Sequence, residues 1–352
     1  MKIGYSFWGF LGPGILDTPD GGRSHRRVLV DGLRSRDHEL VFLQRDRDFA
    51  EAGKDLSDAY AWSADLPTID ALFLEWRWPI AGRNTTRCGT AGHTCDLHRQ
   101  QQLLDHYTRD RGTLTIVWDK DRKLPADDPL RDTVNVVIFE AALHPTPGAR
   151  SLLFPVADDV LEEADAATLA ARPRDLPLAY VGNQYDRDAA FDEFFAPAAA
   201  THKHLVAGKW TSTGAWPNVR FVGRVPFAEV NEIYGRTVAT VLLLPDRYAA
   251  AGQMTQRLVE AVLAGCLPLT PTTIRSARRF TPHRLHVADG AAAAAMLTYL
   301  KDIAGTTEHV ELIGDCLQSL EVFRASHQLE VLDDVLANQP SRRQLPGREV
   351  AS

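Results

Sequence analysis

Short apolar runs alternate with helical patterns along most of the chain, and this alternation restricts the fold more than any other feature. The runs at residues 2–8, Glu39–Leu43, Ala71–Glu75, Leu114–Trp118, Val134–Phe139 and Leu152–Phe154 read as strands, with helical spacing at Gly22–Arg34 and Leu97–Asp110 between them. Such alternation implies a parallel sheet covered on both faces, with ligands at the carboxyl ends of its strands. A second series follows at Leu178–Val181, His204–Val206, Arg220–Val222, Ala239–Leu244 and Leu267–Thr270, with helices at Ala228–Arg236 and Thr255–Ala264. Between the two lies an acidic, alanine-rich stretch bounded by Pro155 and Pro177, which reads as a linker. The expected division is a first domain over 1–155, a linker over 156–177 and a second domain over 178–323. A last helix, Ala325–Asn338 within 324–340, is expected to reach back to the first domain. A length of 352 residues suits two cores.

Composition bounds the class of protein. Hydrophobic residues make up 45% and charged ones 24%, as in a soluble globular chain. No apolar run reaches about eighteen residues, the least a spanning helix needs, and the chain opens on a strand-like Lys2–Trp8. Neither a membrane span nor a secretory signal is expected. The 4 cysteines are too few for a disulfide scaffold, so a reducing, cytoplasmic setting is expected. A net charge of -7 argues against a surface that grips nucleic acid everywhere, but the basic run Arg275, Arg278, Arg279, His283 and Arg284 leaves room for a local cationic face.

The densest local signal is Gly252 to Pro271, which reads as loop, helix, glycine stop, then a buried strand. Met254, Leu258, Ala261 and Val262 share one helical face, and Gln253, Gln256, Arg257 and Glu260 the other. Gly265 suits a left-handed C-cap. The polar face, wedged between two apolar strands, is read as lining a cleft. The helix N-terminus offers N–H groups to an anion, and Glu260 could accept hydrogen bonds from a sugar diol.

In order and spacing, Leu178–Asn183, Leu205–Gly208, Asn218–Val225, Glu229–Tyr234 and the Glu260–Pro268 segment resemble the donor-binding domain of GT-B glycosyltransferases, most closely the retaining type. Asp20 to Arg26, Leu29, Leu33 and Arg36–Leu40 are similar to that family's first glycine loop and second strand. The likeness is strong over about 180–270 and moderate over 1–45; residues 46–177 match in architecture alone. It implies an α/β fold of two doubly wound, Rossmann-like domains facing across a cleft, the C-terminal helix crossing back. It also implies transfer of a sugar from a nucleotide-diphosphate donor to an acceptor hydroxyl, with no cofactor beyond that donor.

The same resemblance implies the donor site. Arg187 and Lys209 would lie against the diphosphate, with Arg257 a further candidate. Glu260 would hold the ribose, and the Gly223 turn would face the base. Gly21 and Gly22 form a glycine turn that would bring the diphosphate or acceptor close to backbone amides; they also suit a simple helix entry. The family's first motif glutamate falls at Gly252 here, so backbone groups of Gly252, Gln253, Met254 and Thr255 would substitute. Glu75 and Asp119 end strands where parallel-sheet chemistry occurs. Each is a candidate base for the acceptor hydroxyl or a group that caps and orients its loop.

No metal site is expected. The Asp-x-Asp pairs at Asp46/Asp48, Asp119/Asp121 and Asp186/Asp188 recur too freely to mark one, and Cys88, His93, Cys95 and His98 have ligand chemistry at a spacing that fits no usual zinc pattern. The acceptor is open: a small molecule, a glycan, a protein or a hydroxymethylated DNA base. The alternatives to transfer are an epimerase acting on the sugar nucleotide and a non-catalytic nucleotide-sugar or nucleic-acid binding module.

Overall fold

The computed structural model describes residues 1–12 and 23–338; Gly21 and Gly22 lie outside them. The first sheet is built from β1 (Lys2–Ser6), β2 (Glu39–Phe42), β3 (Ala61–Trp62), β4 (Ala71–Glu75), β5 (Leu114–Asp119), β6 (Val136–Glu140) and β7 (Arg150–Ser151). Its strands pair in parallel in the order β3-β2-β1-β4-β5-β6-β7. Helices α1 (Arg23–Arg34), α2 (Arg47–Ala52) and α3 (Asp96–Leu103) connect them, and α3 continues as a π-helical segment, Leu104–Asp110. Alternation along β4 shows why both faces are covered: Ala71 and Phe73 enter one apolar cluster, and Leu72 and Leu74 enter another on the opposite side.

After the short helices α4 (Asp158–Glu162) and α5 (Ala166–Ala170), a second parallel sheet begins. It comprises β8 (Leu176–Val181), β9 (His204–Ala207), β10 (Phe221–Gly223), β11 (Thr237–Val241), β12 (Leu267–Pro271) and β13 (His286–Val287), in the order β10-β9-β8-β11-β12-β13. Its helices are α6 (Asp188–Ala190), α7 (Ala196–Thr201), α8 (Phe227–Gly235), α9 (Asp246–Ala251), α10 (Gln256–Leu263), α11 (Gly290–Asp302) and α12 (Thr307–Ser319). In each sheet the order reverses beside the first strand, β1/β4 in one and β8/β11 in the other. The carboxyl ends at these two reversals are where a doubly wound sheet holds ligands.

The final helix, α13 (Ala325–Ala337), belongs to the first domain's core: Leu329, Leu332, Val335 and Leu336 join the cluster of Ile3, Tyr5 and Phe73. Its packing on α1 is close enough that a Cβ on Gly32 would stand 2.4 Å from Leu329 Cδ1. The chain crosses between domains twice, side by side: Val156 and Arg324 form a parallel bridge in which the Val156 N–H donates to Phe323 O and the Ala325 N–H to Val156 O, each at 2.8 Å. Leu152–Phe154, expected as a strand, is not one. Its Leu152 N–H still donates to Glu140 O on β6, but beyond that side chains hold the backbone: the Trp118 indole donates to Leu152 O and the Leu153 N–H donates to Gln328 on α13.

Candidate functional site

At the second sheet's reversal, three strand ends are drawn together by glycine. The Gly182 N–H donates to Ala207 O at 2.8 Å, and the Gly208 N–H to Gly223 O at 2.7 Å. A Cβ on Gly208 would lie 2.1 Å from Gly182 O, so no other residue lets these backbones meet. Gly223 and Lys209 therefore sit on one edge; Lys209 is exposed, and its N–H donates to Asn183 Oδ1. Arg187 is placed differently from the expectation. It is 5% exposed, and its guanidinium donates to the carbonyls of Leu243, Asn183 and Tyr185. It ties the loop after β8 to the end of β11, a positioning role that commits Nε and Nη1 to the protein itself.

Helix α10 runs from this edge. Its N-cap residue, Thr255, makes no side-chain bond to the first turn; the Leu258 N–H donates to Thr255 O at 3.1 Å, and the N–H groups of Gln256 and Arg257 carry no side-chain cap. Leu258, Val259, Ala261 and Val262 are buried, while Arg257 and Glu260 are half-buried. Arg257 Nε donates to Val181 O at 2.7 Å and passes directly beneath Gly182, where a Cβ would stand 2.1 Å away. Burial and then Glu260 push the neighbouring Tyr234 phenol well above its ordinary range. The helix closes as expected: Gly265 takes a left-handed φ of 78°, its N–H donates to Val262 O, and the Cys266 N–H donates to Ala261 O, a Schellman arrangement.

The turn before α10 faces the other domain. Gly252 caps α9 with φ 60°, and its carbonyl accepts from the Leu143 N–H, while Ala251 O accepts from His144 N–H. Gln253 is fully buried and donates to Lys120 O at 2.6 Å. Met254 is in the second domain's core. Gln253 and Met254 thus join the domains or fill the core, which sequence spacing alone had put on a helix. Tyr248 reaches across to Asp121 Oδ1 and Arg247 to Asp121 O. Beside this seam a cavity of about 370 Å³ opens between the domains, lined in part by Arg122, Lys123, Glu140, Thr146 and Arg247.

At the first sheet's reversal, Glu75 is 2% exposed and receives four donors: Tyr5 OH, Arg26 Nε and Nη2, and Lys120 Nζ. Burial pushes its carboxyl up, but Arg26 and Lys120 outweigh that and hold it well below the usual carboxylate range. A saturated, weakly basic carboxylate is a poor proton acceptor for a hydroxyl. Asp119, fully buried, accepts from the N–H groups of Lys123 and Leu124 and so ties down the loop after β5; burial raises its pKa. Of the two roles open to these residues, the geometry favours orienting loops.

The first domain's edge also carries a stack that spacing did not reveal. Arg47 lies 4.0 Å from the Trp8 ring centroid and 4.2 Å from that of Phe10, with Arg83 at 5.6 Å over Trp8. Trp76, by contrast, packs against the core. The basic run divides: Arg275 abuts the Gly252 turn at the seam, while Arg284 pairs with Glu308 and Tyr299 on the outer side. Cys88, His93, Cys95 and His98 come together, with their ligand atoms all within 4.8 Å of one another. No helix among the described residues is long and apolar enough to cross a membrane.

Residues 184–329 match a family described as glycosyl transferase-like. Nearly the whole chain superimposes on GT-B structures. A DNA-modifying β-glucosyltransferase, solved with and without uridine diphosphoglucose, has 14% identity and a TM-score of 0.63, covering 96% of this chain and 100% of that one. T4 phage β-glucosyltransferase bound to UDP-glucose gives 13% and 0.64, covering 96% and 99%; another structure of it holds UDP with Mn2+. AviGT4, a glycosyltransferase of avilamycin A biosynthesis, gives 13% and 0.56, covering 96% and 97%. No curated protein matches by sequence. The chain thus has a GT-B fold of two Rossmann-like domains, and its second half carries a glycosyl transferase-like domain.

Proposed function

We propose that this protein transfers a sugar from a nucleotide-diphosphate sugar to an acceptor hydroxyl bound on the first domain. The observation that carries the reading is α10: an uncapped helix N-terminus at the carboxyl edge of the second sheet, with Glu260 half-buried one turn further along, inside the segment that matches the glycosyl transferase-like family. The helix N-terminus suits the departing diphosphate, and Lys209 on the same edge adds mobile positive charge. Glu260 is set to accept from the ribose hydroxyls, and the backbone at Gly223 to meet the base. Arg187 and Arg257 act at one remove, by fixing the loop after β8 on which the donor rests. Glu75 and Asp119 order the facing loops rather than take the proton.

A DNA acceptor is the second reading. It is supported by the Trp8–Arg47–Arg83 stack, which pairs flat rings with fixed cations, and by exposed Arg275, Arg278 and Arg279 beginning at the seam.

The test is thermal shift and calorimetry with UDP, other nucleoside diphosphates and their sugars, each with and without EDTA, followed by transfer assays. A true donor at a hundredfold excess over its Kd stabilises the protein by about 2.7 kcal/mol. Binding is expected to survive EDTA, since cations and a helix N-terminus suffice for the diphosphate. No stabilisation by any nucleoside diphosphate would refute the transfer reading; loss of binding on chelation alone would refute only its metal independence.

A further inference from the structure

Between β4 and α3 the chain runs about twenty residues without regular structure, and from Pro79 to Cys95 only Asn84 is buried. A loop that long and that poor in apolar contacts needs some other restraint to hold one shape. Part of it is polar: Asn84 donates to Trp78 O and Asp96, and Arg83 and Thr94 also bond Asp96. Gly82, Gly89 and Gly92 turn the rest through left-handed φ values of 75°, 85° and 77°. These turns fold Cys88 and His93 back over the start of α3, where Cys95 is the N-cap residue and His98 lies three residues further, on the same helix face.

The result is two thiols and two imidazoles whose ligand atoms all lie within 4.8 Å of one another. Cys88 Sγ and His98 Nδ1 are already 3.3 Å apart. Tetrahedral zinc with ordinary Zn–S and Zn–N bonds has ligand-to-ligand edges of about 3.3–3.8 Å, so the cluster needs only a slight contraction. His93 supplies an independent observation. Its Nδ1 is bonded to Thr86 Oγ1 at 3.0 Å, while its Nε2 is buried with no hydrogen-bond partner. An imidazole held by one nitrogen and presenting a bare second nitrogen is how metal-bound histidines are oriented, the outer bond fixing the tautomer. An orphaned buried nitrogen costs stability unless something occupies it.

We infer that Cys88, His93, Cys95 and His98 form a closed, structural zinc site that fixes the loop between β4 and α3. On binding, the two thiols lose their protons to solvent and two thiolates with two neutral imidazoles surround Zn2+, giving a site of zero net charge. With four protein ligands no position is left for substrate, so the ion holds the loop and takes no part in transfer. The Arg83 that this loop carries belongs to the stack over Trp8, so the metal sets the shape of the first domain's edge. The inference stands whether or not the transfer reading does.

The full chain, purified from zinc-supplemented cells without chelators, is expected to carry one zinc per molecule by elemental analysis. Exchange for cobalt is expected to give the intense visible bands of tetrahedral Co2+ together with a thiolate charge-transfer band. Cys88→Ala/Cys95→Ala should lose both signals, while Cys316→Ala, buried in the second domain, should keep them. If the double variant fails to fold, chelation of the wild-type chain decides: proteolytic cleavage between residues 85 and 95 should accelerate at least tenfold and be restored by added zinc. Substoichiometric zinc with no cobalt spectrum, full zinc in the double variant, a chain about 2 Da lighter from a Cys88–Cys95 disulfide, or cleavage indifferent to chelation would each overturn the assignment.

Discussion

Replacing Glu75 by Gln separates an architectural role from a catalytic one. In the folded protein this carboxylate is matched by Arg26, with its side chain fully buried, and by Lys120, 10% exposed. Glutamine keeps the shape and removes the charge, so Arg26 and Lys120 lose the buried counter-charge that Glu75 supplies. Breaking a buried ion pair from one side costs about 3–5 kcal/mol, and at least the lower figure is expected here. The effect must also depend on pH. Because the folded carboxyl titrates well below its unfolded value near 4.3, its contribution is complete above that pH. It is lost as pH falls toward the folded pKa, at about 1.4 kcal/mol per pH unit. Between pH 5 and pH 3 the stability gap between wild type and Glu75→Gln should narrow by roughly 2 kcal/mol. Urea titrations of both proteins at pH 7, 5, 4 and 3, followed by a probe in the first domain, measure it. A variant as stable as wild type at every pH but unable to transfer sugar would refute this reasoning and restore Glu75 as the base.

Glu260→Gln should weaken nucleoside diphosphate binding by about tenfold or more, since a hydrogen bond to a charged group contributes about 1.5–3 kcal/mol; calorimetry reads the Kd, and an unchanged melting temperature separates binding from folding. Gly252→Ala should cost about 1–3 kcal/mol, because φ is 60° there and the new Cβ would meet Arg275 O at 2.8 Å; chemical denaturation measures it, and a neutral result would mean the seam yields freely. If the acceptor is DNA, transfer to a hydroxymethylated duplex should fall steeply between low and physiological salt, and Arg275→Ala/Arg278→Ala should flatten that slope. Donor hydrolysis with no transfer to DNA at any salt would remove the DNA reading.

The two sheets were legible because period-2 burial and helical spacing are local properties. β4, β5, β8 and β12 fall where their apolar runs predict, and α10 starts and stops within a residue of Thr255 and Ala264. Gly265 was readable for the same reason: a left-handed cap is set by a few neighbouring residues. The site was less legible because its assignments depend on partners distant in sequence. Nothing near Arg187 announces that Leu243 O will take its guanidinium, and nothing near Gln253 announces Lys120 O. Glu75 illustrates the limit most sharply, since Tyr5, Arg26 and Lys120 converge on it from three other segments. The convergence of Cys88, His93, Cys95 and His98 was hidden for another reason: their spacing fits no familiar pattern, and what brings them together is the pair of turns at Gly89 and Gly92 inside a stretch with almost nothing to bury.

The placement of α13 has a consequence for biosynthesis. Leu329, Leu332, Val335 and Leu336 complete the cluster built by β1, α1 and β4, yet they are synthesised more than two hundred residues after those elements. As the ribosome elongates the chain, the second sheet and its helices, all within 176–319, can close their core while the first domain still lacks a wall. The amino-terminal half therefore waits, with the face of α1 around Gly32 uncovered, until the last helix clears the exit tunnel. A chain stalled or cut before Ala325 presents a finished second domain tethered to an open first one, so quality control by proteases should act first on the half that was made first.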